Sequence, residues 1–471
     1  MSFKNAAVNA INEAPARTAH GMKARATTAS KVLDYFGKAG SSRGTVLAAE
    51  FAGAIAEDRD LALRALLWTR DIRGGAGERK QFRDLLGKLD SADPRLARSI
   101  MFKVPEVGRW DDLFAYVDTE NRKAAFDMIG AALAKGDALC AKWMPRKGME
   151  AVNLRNHLGL SPKQYRKTLV NLTKVVETQM CAKDWENIDF SHVPSLASAR
   201  YQKAFGRNAS EAYSKYVQEL SKPVSERDPK VKINAGAVYP YDVIKSVQRG
   251  NSAVANAQWN ALPNYVGDAK ILPMVDVSGS MTCGGYGGTP TPMDIAVSLG
   301  LYLSEKNTSD FKDLFLTFSS QPEMVHVKGS LSDRISQMRR ARWGFDTNLH
   351  RAFDEILKVA KNGRVAHEDM PQAILILSDM QFNSCARYDD SALQMIQRKY
   401  REAGYEVPRI IFWNLNGTYG DNVPVRFDER GTAHVSGFSP AIMKSVLADD
   451  LEHFTPYNVM LKTLMNDRYS Y

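Results

Sequence analysis

The sequence predicts an all-helical N-terminal half followed by a doubly wound, Rossmann-like α/β domain. Two properties change near residue 270 and support this division. Apolar residues recur at helical spacing before this point, whereas short apolar runs alternate with amphipathic segments after it. Charge changes as well: residues 1–250 contain 41 Lys and Arg against 28 Asp and Glu, and residues 251–471 contain 22 against 25. A basic helical half therefore precedes a mildly acidic α/β half, and only the first is expected to meet a polyanion.

The N-terminal half shows the periodicity of amphipathic helices. Apolar residues lie three or four positions apart in Leu61–Leu67, in Phe82–Leu89 and in Leu169–Val176. Glycine and proline breaks such as Gly74-Gly75 and Asp93-Pro94 separate these runs. Many helices of ordinary length joined by short breaks predict an antiparallel helical array of the α-solenoid type.

The C-terminal half alternates strand-like and helix-like segments. Strands are predicted at 271–277, 313–319, 372–379 and 408–415, and helices at 293–306, 331–340, 347–361 and 391–404. This order is typical of a mostly parallel sheet, in which ligands bind beyond the carboxyl ends of the strands. Asp276 ends one predicted strand and Asp379 ends another.

Composition limits the class of protein and its compartment. No apolar run approaches the roughly 20 residues that a membrane-spanning helix needs, and the N-terminus lacks the apolar core of a secretory leader. The four cysteines are far apart and form no C-x-x-C pair, which argues against a disulfide framework or a structural zinc site. We expect a soluble cytoplasmic protein, with a monomer favoured.

A D-x-S-x-S motif, Asp276 to Ser280, carries the most specific chemistry of the chain. Side chains two apart in an extended loop can converge on one point and offer a carboxylate and two hydroxyls. Thr347, in a loop at the start of a helix, and Asp379, at a strand end, complete a set of hard oxygen donors that suits Mg²⁺ or Mn²⁺ rather than zinc. The predicted metal ligands are Asp276, Ser278, Ser280, Thr347 and Asp379. Asp294 and Asp346 are predicted to cap helices instead.

These five residues resemble the metal-ion-dependent adhesion site of von Willebrand factor A domains. The resemblance implies a metal with one open position that an acidic group of a partner fills, which is binding chemistry. No nucleophile–base pair, H-E-x-x-H motif or Walker lysine accompanies the site, so no catalytic residue is predicted. The glycine-rich segment 283–288 lacks the Lys-Ser/Thr ending of a phosphate loop and is interpreted as a flexible loop beside the metal.

Three further segments resemble the family known as domain of unknown function 2828. They are Ala65–Arg79 (ALLWTRDIRGGAGER), Val104–Leu113 (VPEVGRWDDL) and Ser378–Phe382 (SDMQF). The resemblance covers roughly residues 45–465. Ala76 and Asn383 depart from it, because relatives carry a basic residue and an acid at these positions.

In layout this family is similar to the Ro autoantigen, which joins a TROVE module of HEAT-like helices to a von Willebrand factor A domain. The resemblance implies an N-terminal extension (1–44), a TROVE-like RNA-binding module (45–255) and a metal-binding von Willebrand factor A-like domain (266–465). In Ro proteins the helical ring binds small structured RNAs and the ends of misfolded RNAs. A non-enzymatic RNA-binding scaffold is therefore the function implied here.

A basic segment from residue 142 to 174 agrees with this implication. It contains eight Lys and Arg and one acid, with Trp143, His157 and Tyr165 interleaved. Cations can neutralise phosphates and aromatic rings can stack on unpaired bases, although a solvated helical face with core aromatics would give the same pattern. The candidate RNA-binding residues are Lys142, Arg146, Lys147, Arg155, His157, Lys163, Arg166, Lys167 and Lys174. In the Ala65–Arg79 segment, Arg73 and Arg79 either contact phosphate or have a structural role. Arg70 and Asp71 are interpreted as a structural pair.

Two alternatives remain open at this stage. One is a metal-dependent protein–protein adhesion module that uses the helices as a docking surface without RNA. The other is a metal-dependent nucleic-acid enzyme, which the absence of a second metal about 4 Å away disfavours.

Overall fold

The computed structural model describes residues 15–248, 252–283, 289–340, 346–384, 389–417, 422–447 and 453–471. A two-stranded hairpin opens it, with β1 (Pro15–Arg17) antiparallel to β2 (Lys23–Arg25). Fifteen α-helices follow among the described residues up to 261. The first eight are α1 Lys31–Ala39, α2 Ala48–Glu57, α3 Arg59–Arg70, α4 Arg79–Ala92, α5 Pro94–Ser99, α6 Val104–Val107, α7 Thr119–Ala134 and α8 Ala138–Trp143. The other seven are α9 Met149–His157, α10 Pro162–Leu172, α11 Val176–Cys181, α12 Ser195–Asn208, α13 Ser210–Ser221, α14 Pro240–Gln248 and α15 Ser252–Ala261.

The second half is a six-stranded mixed sheet flanked by helices. Its strands are β3 Ile271–Asp276, β4 Leu314–Phe318, β5 Glu323–His326, β6 Ala373–Ser378, β7 Arg409–Asn414 and β8 Thr432–Ser436. Its helices are α16 Pro292–Lys306, α17 Leu331–Arg340, α18 Leu349–Gly363, α19 Ala392–Ala403, α20 Met443–Leu447 and α21 Pro456–Leu464. The strand order is β5-β4-β3-β6-β7-β8, and only the edge strand β5 is antiparallel to its neighbour. The predicted fold class, a helical array followed by a doubly wound domain, is confirmed.

Local sequence explains where several elements begin and end. Asp58 separates α2 from α3, because its side chain accepts a hydrogen bond from Leu61 N at 3.0 Å and so caps the second helix. Gly75 follows α3 where the chain turns back so closely that a Cβ would lie 2.0 Å from the Trp68 carbonyl oxygen. The predicted glycine break is therefore a steric requirement.

One predicted helical run is interrupted. The pattern Leu169–Val176 was expected to be continuous, but α10 ends at Leu172 and Val175 is extended. The Thr173 hydroxyl donates to the Leu169 carbonyl at 2.6 Å, and the Thr178 hydroxyl donates to the Thr173 carbonyl at 3.0 Å. These side-chain bonds satisfy carbonyls at the helix end and allow α11 to start anew.

Apolar residues form three clusters. The largest joins the helical half to one face of the sheet, through residues such as Trp68, Trp259 and Trp413. The second fills the other face, and alternate residues of each central strand, such as Leu375 and Ile376, enter opposite clusters. The third is a separate aromatic cluster around Phe190 and Phe205 in α11–α13 and α15. The helical array and the sheet therefore share one core.

Two family-like segments of the helical half meet at a buried ion pair. Arg70 Nε donates to Asp112 Oδ2 at 2.7 Å, and both side chains are almost inaccessible. Arg83 joins the same carboxylate at 2.5 Å. Asp71 is bound instead by Arg468 and by the Tyr469 hydroxyl near the C-terminus. Arg70 and Asp71 are structural as expected, but the prediction that they pair with each other is wrong.

Residues 15–44 of the predicted N-terminal extension (1–44) pack on the C-terminal half. In β8 the Ser436 hydroxyl donates to the Phe36 carbonyl of α1 at 2.7 Å and accepts from Gly40 N at 3.0 Å. A Cβ on Gly37 would lie 2.5 Å from the His434 ring, so glycine lets α1 approach the strand. The strand β8, rich in polar residues and not predicted from the sequence, is buried by this helix.

None of the described helices combines the length and the hydropathy required to cross a lipid bilayer.

Burial of His434 predicts a specific loss of stability in acid. Desolvation, with a smaller effect of Lys38, lowers the pKa of His434 from 6.5 to about 4, so folding favours its neutral form. The unfolded chain binds the extra proton between these pH values. The free energy of unfolding should therefore be fully supported above pH 6.5 and fall as pH decreases toward 4, by about 3 kcal/mol from this residue.

Chemical denaturation between pH 4 and pH 7 measures this effect. His434→Gln should reduce the slope of unfolding free energy against pH, whereas the same substitution at the exposed His326 should leave it unchanged. Equal slopes in the two variants would contradict the assignment.

Candidate metal centre and basic surface

The parallel register brings two acidic segments together at the carboxyl end of the sheet. Strands β3 and β6 are neighbours with Val275 opposite Leu377, so Asp276 and Asp379 leave the sheet side by side. Both carboxylates are buried. This position is the edge at which parallel sheets bind ligands.

Hydrogen bonds fix the Asp276 carboxylate and the loop that follows it. One oxygen accepts from Ser278 N at 2.9 Å and the other from the Ser378 hydroxyl at 2.5 Å. The hydroxyls of Ser278 and Ser280 lie 3.2 Å apart, and Ser280 lies next to the Asp379 carboxylate. The side chains of the D-x-S-x-S segment thus lie close together, and Ser378 hydrogen-bonds to Asp276 from the adjacent strand.

Thr347 is tied to the loop beyond Asp379. Its carbonyl accepts from Asn383 N at 3.0 Å and from Leu349 N at 3.2 Å at the start of α18. The Asn348 side chain caps that helix by accepting from Arg351 N at 3.0 Å. Of the two acids predicted as caps, Asp294 closes a capping box with Thr291 at α16. Asp346 is exposed and does not cap α18, so that prediction is wrong.

The buried environment at this edge of the sheet disfavours the ionised forms of Asp276 and Asp379. Burial, and secondarily the charge of Asp379, raise the pKa of Asp276 well above its usual range. Burial likewise raises the pKa of Asp379. Buried carboxylates are normally stabilised by a cation, a proton or hydrogen bonds.

The donor set fits a hard divalent cation. Thr347 Oγ1 and Asp379 Oδ2 are buried and have no hydrogen-bond partner, which is rare for oxygen atoms in a protein interior. Among the described residues no three His, Cys, Asp or Glu side chains form a metal cluster, so any site here depends on hydroxyls beside two carboxylates. Such oxygen donors suit Mg²⁺ or Mn²⁺. Of the glycine-rich loop 283–288 only Cys283, which is exposed, lies within the described residues.

The N-terminal hairpin also reaches this edge, which the sequence did not reveal. Ala19 N donates to Gln381 Oε1 at 2.8 Å, and Ser384 N donates to the His20 carbonyl at 3.0 Å. Arg17 forms a two-point ion pair with Asp389. The hairpin turn therefore lies beside the loop that follows Asp379.

The nine candidate RNA-binding residues divide by their partners. Five are exposed and have no side-chain partner among the described residues: Lys147, Lys163, Arg166, Lys167 and Lys174. Arg155 is half-buried, also without a partner. The other three contact protein groups, since Lys142 lies 3.7 Å from Glu177, Arg146 donates to Thr173, and His157 lies 2.7 Å from Asp127.

Two of the three interleaved aromatics, Tyr165 and Trp143, do not offer an open ring face to bases. Tyr165 is buried and its hydroxyl donates to the Pro145 carbonyl at 2.9 Å. The Arg109 guanidinium lies 4.0 Å from the Trp143 ring centroid and covers that ring. Arg79 binds Asp111, whereas Arg73 is exposed. The basic surface is defined as these five exposed cations: Lys147 before α9, Lys163, Arg166 and Lys167 of α10, and Lys174 after that helix. Neither Tyr165 nor Trp143 adds an open ring face to it.

Comparisons with known proteins agree with this architecture. Residues 128–270 match a family model described as domain of unknown function (DUF2828). The resemblance to that family is confirmed. Residues 270–463 match a different family model, domain of unknown function (DUF7788), so the DUF2828 match is shorter than the span 45–465 expected from the sequence.

Two matches that span nearly the whole chain extend the comparison. An uncharacterised protein, L728 of Acanthamoeba polyphaga mimivirus, is 29% identical over 510 residues, which cover 95% of this chain and 86% of the viral protein. The crystal structure of the Deinococcus radiodurans Ro (RSR) protein is similar with a TM-score of 0.51 and 15% identity, over 93% of this chain and all of that one. The chain therefore has a Ro-like fold, with HEAT-like helices followed by a von Willebrand factor A-like domain.

Removing one buried carboxylate should separate metal binding from folding. Asp276→Asn keeps an oxygen for Ser278 N and removes one of two like charges. We therefore expect an unchanged or higher Tm in EDTA and loss of the Tm increase that Mg²⁺ gives the wild-type protein, an increase of roughly 1–2 °C if binding supplies 1–2 kcal/mol to a chain of this length.

Thermal unfolding with a Mg²⁺ titration measures both effects. Asp310→Asn, an exposed position with the same change in charge, is the control and should keep the Mg²⁺ response. A wild-type Tm that does not respond to Mg²⁺ or Mn²⁺ would contradict the metal assignment.

Proposed function

We propose that this protein is a non-enzymatic RNA-binding scaffold that also holds a partner through a divalent metal. The observation that supports it best is the combination of a Ro-like fold with a basic surface in the helical half and a set of oxygen donors at the sheet edge. The two surfaces belong to different halves of the chain, which fits a scaffold with two binding functions.

The RNA half of the proposal rests on unpaired charge. Lys163 and Lys167 lie one turn apart on one side of α10, and Lys174 follows the end of that helix. Exposed cations of this kind bind the phosphate backbone and release counterions. Because Tyr165 is buried and the Trp143 ring is covered, recognition here depends on phosphate position and RNA shape more than on base stacking.

The metal half of the proposal assigns Mg²⁺ or Mn²⁺ to Asp276, Ser278, Ser280, Thr347 and Asp379. A bound cation would act as a Lewis acid with an open position for a carboxylate. The residues of the chain orient the donors: Ser378 and Ser278 N hold Asp276, and Asn383 N holds the Thr347 backbone. An acidic side chain of a partner protein is the proposed ligand.

The basic surface predicts a steep salt dependence of RNA binding. Lys163→Glu/Lys167→Glu/Lys174→Glu should weaken binding to a structured RNA at least about tenfold and reduce the slope of log K against log salt by roughly 2–3. Filter binding over a salt series measures both quantities.

Three exposed lysines of the other half provide the matched control. The control is Lys312→Glu/Lys358→Glu/Lys361→Glu, which makes the same change in net charge. Apart from the general effect of a lower net charge, it should alter RNA affinity less than about twofold. Equal losses in the two triple variants, or wild-type binding that is insensitive to salt, would refute the proposed surface. Wild-type protein that binds no RNA would favour the adhesion module instead.

Metal binding and RNA binding should be separable. Asp276→Ala should abolish binding of an acidic peptide partner that requires Mg²⁺, while RNA affinity in the same assay changes by less than about twofold. RNA integrity is followed by gel in parallel, with Asp310→Ala as control. RNA cleavage that disappears in Asp276→Ala would establish an enzyme and overturn the scaffold.

A further inference from the structure

A polar cavity of about 590 Å³ lies in the helical half between α12 and α14, and Gln258 of α15 also lines it. None of its lining residues belongs to the metal centre or to the basic surface. Ligand-binding pockets generally have volumes of about 300–1,000 Å³, so this one is large enough for a nucleotide-sized molecule.

Cations dominate the charge of the cavity wall. Arg200 and Lys203 lie one turn apart on α12, are exposed, and have no side-chain partner among the described residues. Lys245 of α14 lines the same cavity. One acid, Asp242, also lines it, and one of its oxygens accepts from Tyr239 N at 3.1 Å. The wall therefore has an excess of positive charge.

Two buried polar side chains of the same wall lack partners. Gln202 Nε2 and Ser246 Oγ form no hydrogen bond, and both residues are more than nine-tenths buried. Gln258, which also lines the cavity, shows the usual situation, because its Nε2 donates to the Ser195 carbonyl at 2.9 Å. Buried polar groups are rarely left without a partner. A ligand that accepts hydrogen bonds would satisfy the unpaired donors Gln202 Nε2 and Ser246 Oγ.

We propose that this cavity binds a phosphate group, carried by a free nucleotide or by the end of an RNA chain. A guanidinium and two ammonium groups match phosphate in charge, and a guanidinium also matches it in geometry. The Gln202 amide and the Ser246 hydroxyl add neutral donors. The proposal is independent of the basic surface, because α12 and α14 contribute no residue to it.

Isothermal titration of the full-length protein with inorganic phosphate and with adenosine monophosphate tests the site, at constant ionic strength. Wild-type protein should bind adenosine monophosphate with a Kd of roughly 1 mM or lower. Arg200→Glu/Lys203→Glu should weaken this binding at least about tenfold. The control Arg207→Glu/Lys230→Glu changes exposed residues outside the cavity wall by the same charge and should retain the wild-type affinity.

A second variant tests the buried donor. Ser246→Ala removes a hydroxyl that forms no hydrogen bond, so Tm should stay the same while affinity falls about three- to tenfold. The proposal is overturned if wild-type protein shows no saturable binding up to about 10 mM ligand, or if the cavity variant binds as well as its control.

Competition distinguishes the two sources of phosphate. A short 5′-phosphorylated oligoribonucleotide that displaces adenosine monophosphate, when its 5′-hydroxyl counterpart does not, identifies an RNA end as the ligand. Displacement by nucleotides alone identifies a nucleotide site. Either result is read in the Lys163→Glu/Lys167→Glu/Lys174→Glu background, so loss of RNA binding at the basic surface leaves the cavity measurement intact.

Discussion

Two carboxylates that the sheet places side by side govern the organisation of the C-terminal half. Asp276 ends β3, Asp379 directly follows the neighbouring parallel strand β6, and both carboxylates are buried. Like charges repel each other strongly at low dielectric, so the stability of the two carboxylates depends on the polar groups around them. Hydroxyls from two strands, a loop carrying Thr347 and the N-terminal hairpin all converge there. The surrounding loops thus meet at two buried carboxylates whose pKa values are raised by burial.

The helical half is held in place by charge as well as by apolar packing. The buried Asp112 carboxylate is bound by Arg70 and Arg83, and Asp71 is bound by Arg468 and Tyr469 from the end of the chain. Breaking a buried pair by removing one partner generally costs about 3–5 kcal/mol. These pairs orient the array, and the shared apolar core joins it to the sheet. Two halves with different fold classes therefore behave as one packed body.

Much of this could be predicted from the sequence, for physical reasons. Buried parallel strands such as β3 and β6 are continuous apolar runs, and the D-x-S-x-S spacing fixes which oxygens can converge. The strand β8 escaped notice because its polar residues are satisfied by α1, a segment almost 400 positions away. The Leu169–Val176 pattern predicted one helix because apolar spacing does not record that Thr173 ends it.

The candidate sites show the same division. The five candidate metal-binding residues could be proposed from the sequence because their chemistry is local to three short motifs. The basic segment could be identified from its charge. Whether its aromatic residues are exposed could not be predicted, because the sequence does not show that the Tyr165 ring is buried in the core. The cavity between α12 and α14 left no motif at all, since its residues come from two distant helices. Sites that form only when distant segments pack together cannot be predicted from local sequence patterns.

The placement of residues 15–44 has a consequence for dissecting this protein. The hairpin pairs with Asn383, Ser391 and Val423, and α1 covers β8, so the α/β unit is completed by the opposite end of the chain. A fragment cut at residue 266 would lose one covering layer of its sheet and leave β8 as an open edge, the kind of edge that seeds aggregation. Functional studies of the α/β half therefore need the N-terminal segment, supplied either in the intact chain or by a circular permutation that joins it to the C-terminus.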